Sequence, residues 1–192
     1  MAGVTRIVAG VAGGRTLRVP GSGTRPTSDR VREALFSRLD HLGVVEGARV
    51  LDLYAGSGAL GLEAASRGAG EVVLVDSTSG AARVCRQNAT TLGLSAQVVQ
   101  RKALTYLTER VGEPFDLVLC DPPYAIDAAD LTAVLTALVP HLAPDAVVVV
   151  ERGVHTPAPE WPTGLEPVDD RRYGETVLWF ARACTGGPTV AG

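Results

Sequence analysis

The 192-residue sequence contains only three cysteines and three histidines. Cys85, Cys120 and Cys184 are widely separated, with no Cys-x-x-Cys spacing and no histidine grouped with them. Structural zinc sites and disulfide frameworks place such residues at short, regular spacings. The sequence therefore indicates neither, and we predict that the protein has no metal site.

Long apolar runs are also missing. No unbroken run exceeds five residues, the length of Ala146–Val150, whereas a membrane-spanning helix needs about 20. Residues 1–10 lack the extended apolar region of a secretory signal. With 46% hydrophobic and 20% charged residues, the composition is typical of one globular domain with a full core. We therefore expect a cytoplasmic protein.

The net charge of -3 argues, by itself, against a nucleic-acid partner. The charge is unevenly distributed, however, because residues 1–38 hold seven arginines and two acidic residues. That segment carries +5 and the remainder carries -8. Six of its arginines are candidates for contacts with nucleic-acid phosphates: Arg6, Arg15, Arg18, Arg25, Arg30 and Arg32. Exposed charge that keeps a small hairpin soluble is the competing interpretation.

Three segments are predicted along the chain. Residues 1–24 contain two short β-type runs, Val4–Ala9 and Arg15–Val19, joined by a glycine-rich turn that predicts a β-hairpin outside the main fold. Residues 25–183 form the main domain. Residues 184–192 are expected to be a disordered tail.

The main domain is predicted to open with a helix. Thr27 and Ser28 are candidate caps for it, and apolar residues follow at helical spacing. That stripe predicts that Arg30, Arg32 and Arg38 project away from the core.

From residue 48 onward, short apolar runs alternate with helical patterns. The predicted strands are Arg49–Leu53, Glu71–Val75, Ala96–Gln100, Phe115–Cys120 and Ala146–Val150. The predicted helices are Ala59–Arg67, Ser79–Leu92, Ala103–Arg110 and Ala128–His141. Two later runs, Leu165–Asp169 and Thr176–Ala183, follow no crossover helix and predict an edge hairpin. The pattern favours an α/β fold with a mostly parallel sheet, whose ligands bind at the carboxyl ends of the strands.

A glycine-rich turn, Gly56-Ser57-Gly58-Ala59-Leu60-Gly61, follows the first of these strands. Asp76, at the end of the next strand, can accept hydrogen bonds from both ribose hydroxyls of a nucleoside. The turn also matches the G-x-G-x-x-G fingerprint of dinucleotide sites, so NAD is one alternative. Asp52, just before the turn, favours S-adenosylmethionine, because a carboxylate attracts the cationic methionine end and repels a pyrophosphate.

The second motif, Asp121-Pro122-Pro123-Tyr124, follows the strand Phe115–Cys120. Hydrogen bonds from a nucleobase amino group to the Asp121 carboxylate and to a proline carbonyl would favour a pyramidal nitrogen whose lone pair faces a methyl donor. Tyr124 can stack on an extruded base. Such a motif is often only a turn. Here both motifs are predicted to open on one crevice, and this favours amino methylation of a nucleobase.

On these residues, the chain resembles the RsmD family of 16S ribosomal RNA guanine-N2 methyltransferases. The matching segments are Arg6–Gly10, Gly14-Arg15 with Leu17, Arg25–Phe36, Asp52–Gly61, Asp121–Tyr124 and Tyr173-Gly174. The resemblance implies a class I S-adenosylmethionine-dependent methyltransferase fold, Rossmann-like, with a seven-stranded sheet that is mostly parallel and has its last strand antiparallel. It also implies 16S rRNA of the small ribosomal subunit, or of its assembly intermediate, as substrate. The hairpin would then be an RNA-binding extension.

The resemblance also assigns site residues. The catalytic set is Asp121, Pro122, Pro123 and Tyr124. The predicted donor set is Asp52, Tyr54, Gly56, Ser57, Gly58, Asp76, Ser77, Lys102 and Ala103. Related enzymes often carry an acid near the end of the third strand to read adenine, but this chain has Lys102, which cannot accept a hydrogen bond. We therefore expect the Ala103 backbone N–H to contact adenine.

Several alternatives remain open from the sequence. A DNA or other RNA amino methyltransferase acting on adenine N6 would use the same acceptor chemistry. A non-catalytic ribosome assembly factor would bind RNA without turnover. An NAD-linked oxidoreductase would need a hydride-transfer site, for which the sequence offers no residues. We expect a monomer without a membrane partner.

Overall fold

The computed structural model describes residues 5–20 and 28–184. In chain order the elements are β1 (Thr5–Arg6), β2 (Thr16–Leu17), α1 (Asp29–His41), β3 (Arg49–Leu53), α2 (Ala59–Ser66), β4 (Glu71–Asp76), α3 (Ser79–Leu92), β5 (Gln97–Gln100), α4 (Ala103–Glu109), β6 (Phe115–Cys120), α5 (Ala128–Leu138), β7 (Leu142–Gly153), β8 (Leu165–Tyr173) and β9 (Thr176–Ala183). Arg25 and Thr27, like residues 185–192 of the predicted tail, lie outside the described residues.

Seven strands form one sheet in the order β5-β4-β3-β6-β7-β9-β8. The five strands from β5 to β7 pair in parallel, whereas β9 runs antiparallel to both β7 and β8. The chain builds outward from β3 through β4 to β5, and then returns to the other side of β3 with β6. The reversal places a topological switch point between β3 and β6, where α/β sheets bind their ligands. The predicted α/β fold, with a mostly parallel seven-stranded sheet whose last strand is antiparallel, is thus confirmed.

Helices cover both faces of the sheet, so its strands are apolar on both sides. One core cluster joins residues of α1, α2 and α3 to alternate strand residues such as Val50 and Leu117. The other joins α4 and α5 to the intervening residues, such as Leu51 and Val118. Burial on both faces explains why these strands appear in the sequence as continuous apolar runs rather than alternating ones.

Some predicted boundaries differ from the structure. The last predicted helix, Ala128–His141, ends as an α-helix at Leu138 and continues as a 3₁₀ turn over Val139–His141, because Pro140 has no backbone N–H to continue the α-helical hydrogen bonds. Strand β7 is longer than the apolar run that predicted it, and β8 continues to Tyr173. Pairing with β9 supports the extension of β7 to Gly153 and of β8 to Tyr173, whereas at the other end of β7 Leu142 pairs with Phe115 of β6. None of the described helices is long and apolar enough to cross a bilayer.

The predicted hairpin forms a separate two-stranded sheet, yet it is packed firmly onto α2. Ile7, Ala12 and Leu17 are buried in the same core cluster as the helices. The backbone N–H groups of Val8 and Ala9 donate to the Glu63 carboxylate at 2.7 and 3.0 Å. This extension is therefore a fixed part of the fold rather than a projecting arm.

The prediction that Arg32 projects from the core and binds RNA is wrong. Its side chain is completely buried, and it lies 2.8 Å from the Asp29 carboxylate and 3.6 Å from the Glu63 carboxylate. It also donates to Thr5 Oγ1 at 3.2 Å and to the carbonyl of Arg6. The apolar spacing along the predicted first helix identifies which of its residues face the core. It cannot show that Glu63, a buried acid on α2, would pair with Arg32. Arg32 ties α1, α2 and the hairpin together instead.

Candidate active site

The two sequence motifs meet at the switch point. Strands β3 and β6 are adjacent, and Leu53 and Cys120, their last residues, are partners in the register. The backbone N–H of Asp121 donates to the Leu53 carbonyl at 3.4 Å. The motif Asp121–Tyr124, called the acidic motif below, therefore begins beside Leu53, the residue that leads into the glycine-rich turn. Both motifs thus share one crevice.

Residues 54–58, called the glycine turn below, reverse the chain between β3 and α2. Tyr54, Gly56 and Gly58 have positive φ angles of 63°, 57° and 80°. A Cβ on Gly58 would lie only 3.1 Å from Leu74 Cδ1 and 3.2 Å from Leu62 Cδ1, so packing as well as conformation requires glycine there. Because α2 starts immediately after Gly58, the N–H groups of Ala59 and Leu60 have no acceptor within the helix.

Asp52 supports the start of α2 from inside β3. It is buried, and its Oδ2 accepts the Gly61 N–H at 2.8 Å. Burial raises the pKa of Asp52 to about 7, a change that the hydrogen bond from Gly61 reduces and the neighbouring Asp76 increases. The carboxyl group is therefore only partly ionised near neutral pH.

Asp76 ties the glycine turn to the end of β4. Its Oδ2 accepts the Gly56 N–H at 3.0 Å, and its Oδ1 accepts the Thr78 N–H and hydroxyl at 2.9 and 3.1 Å. Each carboxylate oxygen can accept two hydrogen bonds, so Oδ2 retains capacity for one ribose hydroxyl. The structure thus gives Asp76 a bracing role that the sequence motif did not reveal.

The remaining predicted donor residues lie at the ends of β4 and β5. Ser77 is exposed directly after β4. Lys102 is exposed at the N-cap of α4, and the buried Ala103 is the first residue of that helix. The Ala103 N–H belongs to the first turn of α4, where backbone N–H groups have no acceptor within the helix. The Arg101 N–H donates to the Asp76 carbonyl at 3.0 Å, so these two strand ends are held together.

The acidic motif presents its groups at different depths. Asp121 is half-buried and Pro122 is buried, while Tyr124 is 68% exposed. The Pro123 carbonyl accepts the Ile126 N–H at 3.0 Å, which closes the turn after the motif. The Tyr124 ring lies against Gly153 of β7, where a Cβ would approach Cε1 to 3.3 Å. Gly153 therefore allows the ring to lie beside the crevice.

Helix α3 contributes supporting residues that sequence reasoning missed. Cys85 Sγ contacts the Gly56 carbonyl at 3.3 Å, and Asn88 Nδ2 donates to the Ser57 carbonyl at 2.9 Å. Burial raises the pKa of the Cys85 thiol to about 12, so it stays protonated and can donate. The available signal was a polar amide on the apolar face of the predicted helix Ser79–Leu92.

The predicted RNA-binding arginines differ in their surroundings. Arg6 is 64% exposed and forms an ion pair with Asp29 at 3.4 Å. The Arg15 guanidinium donates to the Leu92 carbonyl at 2.8 Å and to the Thr91 carbonyl, so it caps the end of α3. Arg18 and Arg30 are exposed. Exposed cations thus remain on the hairpin and at the start of α1.

Two surface depressions lie at the opposite, amino-terminal edge of the sheet. They enclose about 350 and 640 Å³; Gly43 and Glu46 line both, and Asp116 lines the smaller one. No predicted site residue contributes to either one.

The raised pKa of Asp52 predicts a pH-dependent stability. The folded protein holds a proton on this carboxyl that the unfolded chain releases above its ordinary pKa of 3.8. The stability that Asp52 contributes is therefore fully present below that pH and is lost as the pH rises through about 7. Asp52→Asn cannot ionise, so at pH 8 it should be more stable than wild type by up to roughly 4 kcal/mol.

Urea unfolding between pH 4.5 and pH 8 measures this effect. The advantage of Asp52→Asn should shrink steadily toward the acidic end of the range. Asp170→Asn, on the exposed edge strand, serves as the control, because it removes a carboxylate from solvent and not from the core. Parallel pH profiles for wild type and Asp52→Asn would contradict the prediction.

Comparisons with known proteins agree with this geometry. The model of the family described as conserved hypothetical protein 95 matches residues 5–182. The chain is 40% identical to ribosomal RNA small subunit methyltransferase D of Escherichia coli over 162 residues, covering 83% of this chain and 80% of the relative. The Haemophilus influenzae protein of the same name is 38% identical over 154 residues, covering 78% and 79%. A solved methyltransferase structure from Escherichia coli superposes with a TM-score of 0.83 at 34% identity, covering 96% of this chain and all of that one.

Proposed function

We propose, from the premise that this chain belongs to the conserved hypothetical protein 95 family and to its RsmD members, that it methylates ribosomal RNA of the small subunit. The proposed reaction transfers a methyl group from S-adenosylmethionine to the exocyclic N2 of a guanine in 16S rRNA. The observation that carries the proposal is the hydrogen bond from the Asp121 N–H to the Leu53 carbonyl. It brings the groups that accept hydrogen bonds from the guanine amine to the glycine turn.

The residues around the glycine turn fit the methyl donor chemically. The positive φ angles of Gly56 and Gly58 bring bare backbone to the crevice, and Asp76 Oδ2 offers an acceptor to a ribose hydroxyl. The Ala103 N–H, at the start of α4, can donate to an adenine nitrogen. When bound, the donor supplies an electrophilic sulfonium methyl group. Asp52 adds negative charge behind the turn once it ionises, and this charge favours a cationic ligand.

The acidic motif orients the amine. Asp121 accepts a hydrogen bond from one amino N–H, and we assign the second acceptor to the Pro122 carbonyl, since the Pro123 carbonyl already accepts from Ile126. Both acceptors favour a pyramidal nitrogen and are held by the rigid proline pair. Asp121 can also hold the proton that leaves the nitrogen after transfer. Tyr124, with 68% of its surface exposed, can stack on the extruded base.

The exposed arginines supply a sequence-independent attraction to RNA. Arg30→Ala should weaken binding to small subunits and reduce the slope of log affinity against log salt by about one unit, because one phosphate contact is lost. Donor affinity should remain at the wild-type value. Arg182→Ala, an exposed arginine on β9, is the control and should leave the slope unchanged. An unaltered slope for Arg30→Ala would remove Arg30 from the interface.

Transfer of labelled methyl groups tests the function directly. Purified protein should label small subunits from a strain that lacks this enzyme, and nucleoside analysis should identify N2-methylguanosine. DNA and naked rRNA are tested in parallel to define the substrate. Label confined to DNA, N6-methyladenosine as product, or RNA binding without turnover would overturn the proposal. We expect the enzyme to act in the cytoplasm as a monomer.

A further inference from the structure

One buried side chain connects the hairpin to the glycine turn. Asn88 lies on the inner face of α3 with 2% of its surface exposed. Its Oδ1 accepts the Arg18 N–H at 2.9 Å, and its Nδ2 donates to the Arg18 carbonyl at 2.9 Å. The same Nδ2 donates to the Ser57 carbonyl at 2.9 Å. Asn88 thus bridges the residue after β2 and the middle of the glycine turn.

The bridge depends on the chemistry of a primary amide. Both Nδ2 hydrogens are directed at carbonyl groups, and Oδ1 accepts from a backbone N–H, so the side chain serves three partners at once. Aspartate would place an acceptor against two carbonyl oxygens. Leucine, with the same number of side-chain heavy atoms, would leave three polar backbone groups without this partner. The connection is therefore specific to the residue present.

Other contacts reach only one of the two regions. Ser66 Oγ accepts the Ala12 N–H at 2.9 Å and donates to the Ala9 carbonyl at 2.6 Å, but it contacts only the hairpin. Cys85 Sγ hydrogen-bonds to the Gly56 carbonyl of the glycine turn. Within residues 5–20 and 28–184, the side-chain amide of Asn88 hydrogen-bonds to both regions.

On the basis of the proposed function, we infer that Asn88 is a positioning residue that couples RNA binding at the hairpin to donor binding at the glycine turn. RNA phosphates held by the hairpin arginines restrict the backbone around Arg18. Asn88 passes that restriction to Ser57, so less conformational entropy remains to be lost when the donor binds. Because coupling free energies are reciprocal, a bound donor strengthens RNA binding by the same factor.

Equilibrium dialysis with labelled S-adenosylhomocysteine measures the coupling, because this product binds the donor site without reacting. Its affinity is determined alone and with saturating unmethylated small subunits. The subunits should tighten binding to wild type by about fivefold or more. For Asn88→Ala the ratio should fall close to one. Ser66→Ala and Cys85→Ala, which each loosen one region, should keep the wild-type ratio.

The outcomes separate this inference from the proposed function. A wild-type ratio retained by Asn88→Ala overturns the role of Asn88, because direct contact between base and donor then accounts for the coupling. A wild type that methylates subunits with a ratio of one also overturns the inference alone. A wild type that transfers no methyl group to subunits overturns the proposed function.

Hydrogen exchange on wild type gives a second test that needs no variant to fold. S-adenosylhomocysteine, added without RNA, should slow exchange of the Arg18 amide severalfold through its bond to Asn88. The Val11 amide, which donates to the Ser66 carbonyl at 2.8 Å, is the internal reference and should keep its rate. Unchanged exchange at Arg18 would contradict the inference.

Discussion

Replacement of Asp121 by alanine should lower kcat for methyl transfer by about 100- to 1,000-fold, the usual effect of removing one preorganised hydrogen-bonding group. The loss should fall mainly on kcat, because the acceptor contact strengthens as the amine nitrogen becomes pyramidal. Asp121→Asn keeps an acceptor oxygen and should retain more activity than Asp121→Ala. Single-turnover transfer of labelled methyl groups to unmethylated small subunits measures the difference.

A matched control lies on the same strand. Asp116 is at the amino-terminal end of β6, where its carboxylate accepts the Arg49 N–H at 2.8 Å. Asp116→Ala removes a carboxylate from β6 far from the crevice, so kcat should stay near the wild-type value. Near-wild-type turnover by Asp121→Ala would show that the amine is oriented by other groups, and the assigned mechanism would be wrong.

Glu63→Ala should lower the free energy of unfolding by about 3 to 5 kcal/mol, because it leaves the buried Arg32 without one of its acidic partners. The carboxylate also accepts from Val8 and Ala9 and pairs with Arg67 at 2.8 Å, so several buried donors lose their acceptor together. For a protein of this size the loss corresponds to a Tm lower by roughly 6 to 20 °C. Calorimetry or denaturant unfolding provides the measurement.

The control for this substitution is Glu33→Ala on the exposed surface of α1. Its effect should stay within about 0.5 kcal/mol. Limited proteolysis should also cut the hairpin of Glu63→Ala faster than that of the control, because the hairpin backbone loses two of its anchors. Equal stability of the two variants would mean that Arg32 finds sufficient compensation elsewhere.

Much of the fold could be predicted because the signals are local. The strands Arg49–Leu53 and Phe115–Cys120 and the helix Ser79–Leu92 have the predicted bounds. Burial on both faces makes such strands continuous apolar runs, and Ser28 caps α1 through its hydroxyl, as proposed. The turn and the acidic motif were equally recognisable, because each lies within a few consecutive residues.

Interactions between distant segments could not be predicted in this way. Arg32 and Glu63 are 31 residues apart, so a helical pattern alone could not reveal their ion pair. Asn88 and Arg18 are separated by 70 residues. Asp76 was expected to serve a ligand, and its contacts with Gly56 and Thr78 became visible only when the strand ends were placed together. Sequence motifs identified the reacting groups better than the residues that hold them.

The position of β9 between β7 and β8 determines the order in which this enzyme can be completed during translation. Strand β8 leaves the ribosome before β9, but among the strands of the described chain it pairs only with β9. Until residues 176–183 emerge, β7 has an open edge and β8 has no docking site, so the nascent chain is exposed to incorrect strand pairing. Closure of the sheet is therefore a late event, and a chaperone that shields the β7 edge would act in that interval.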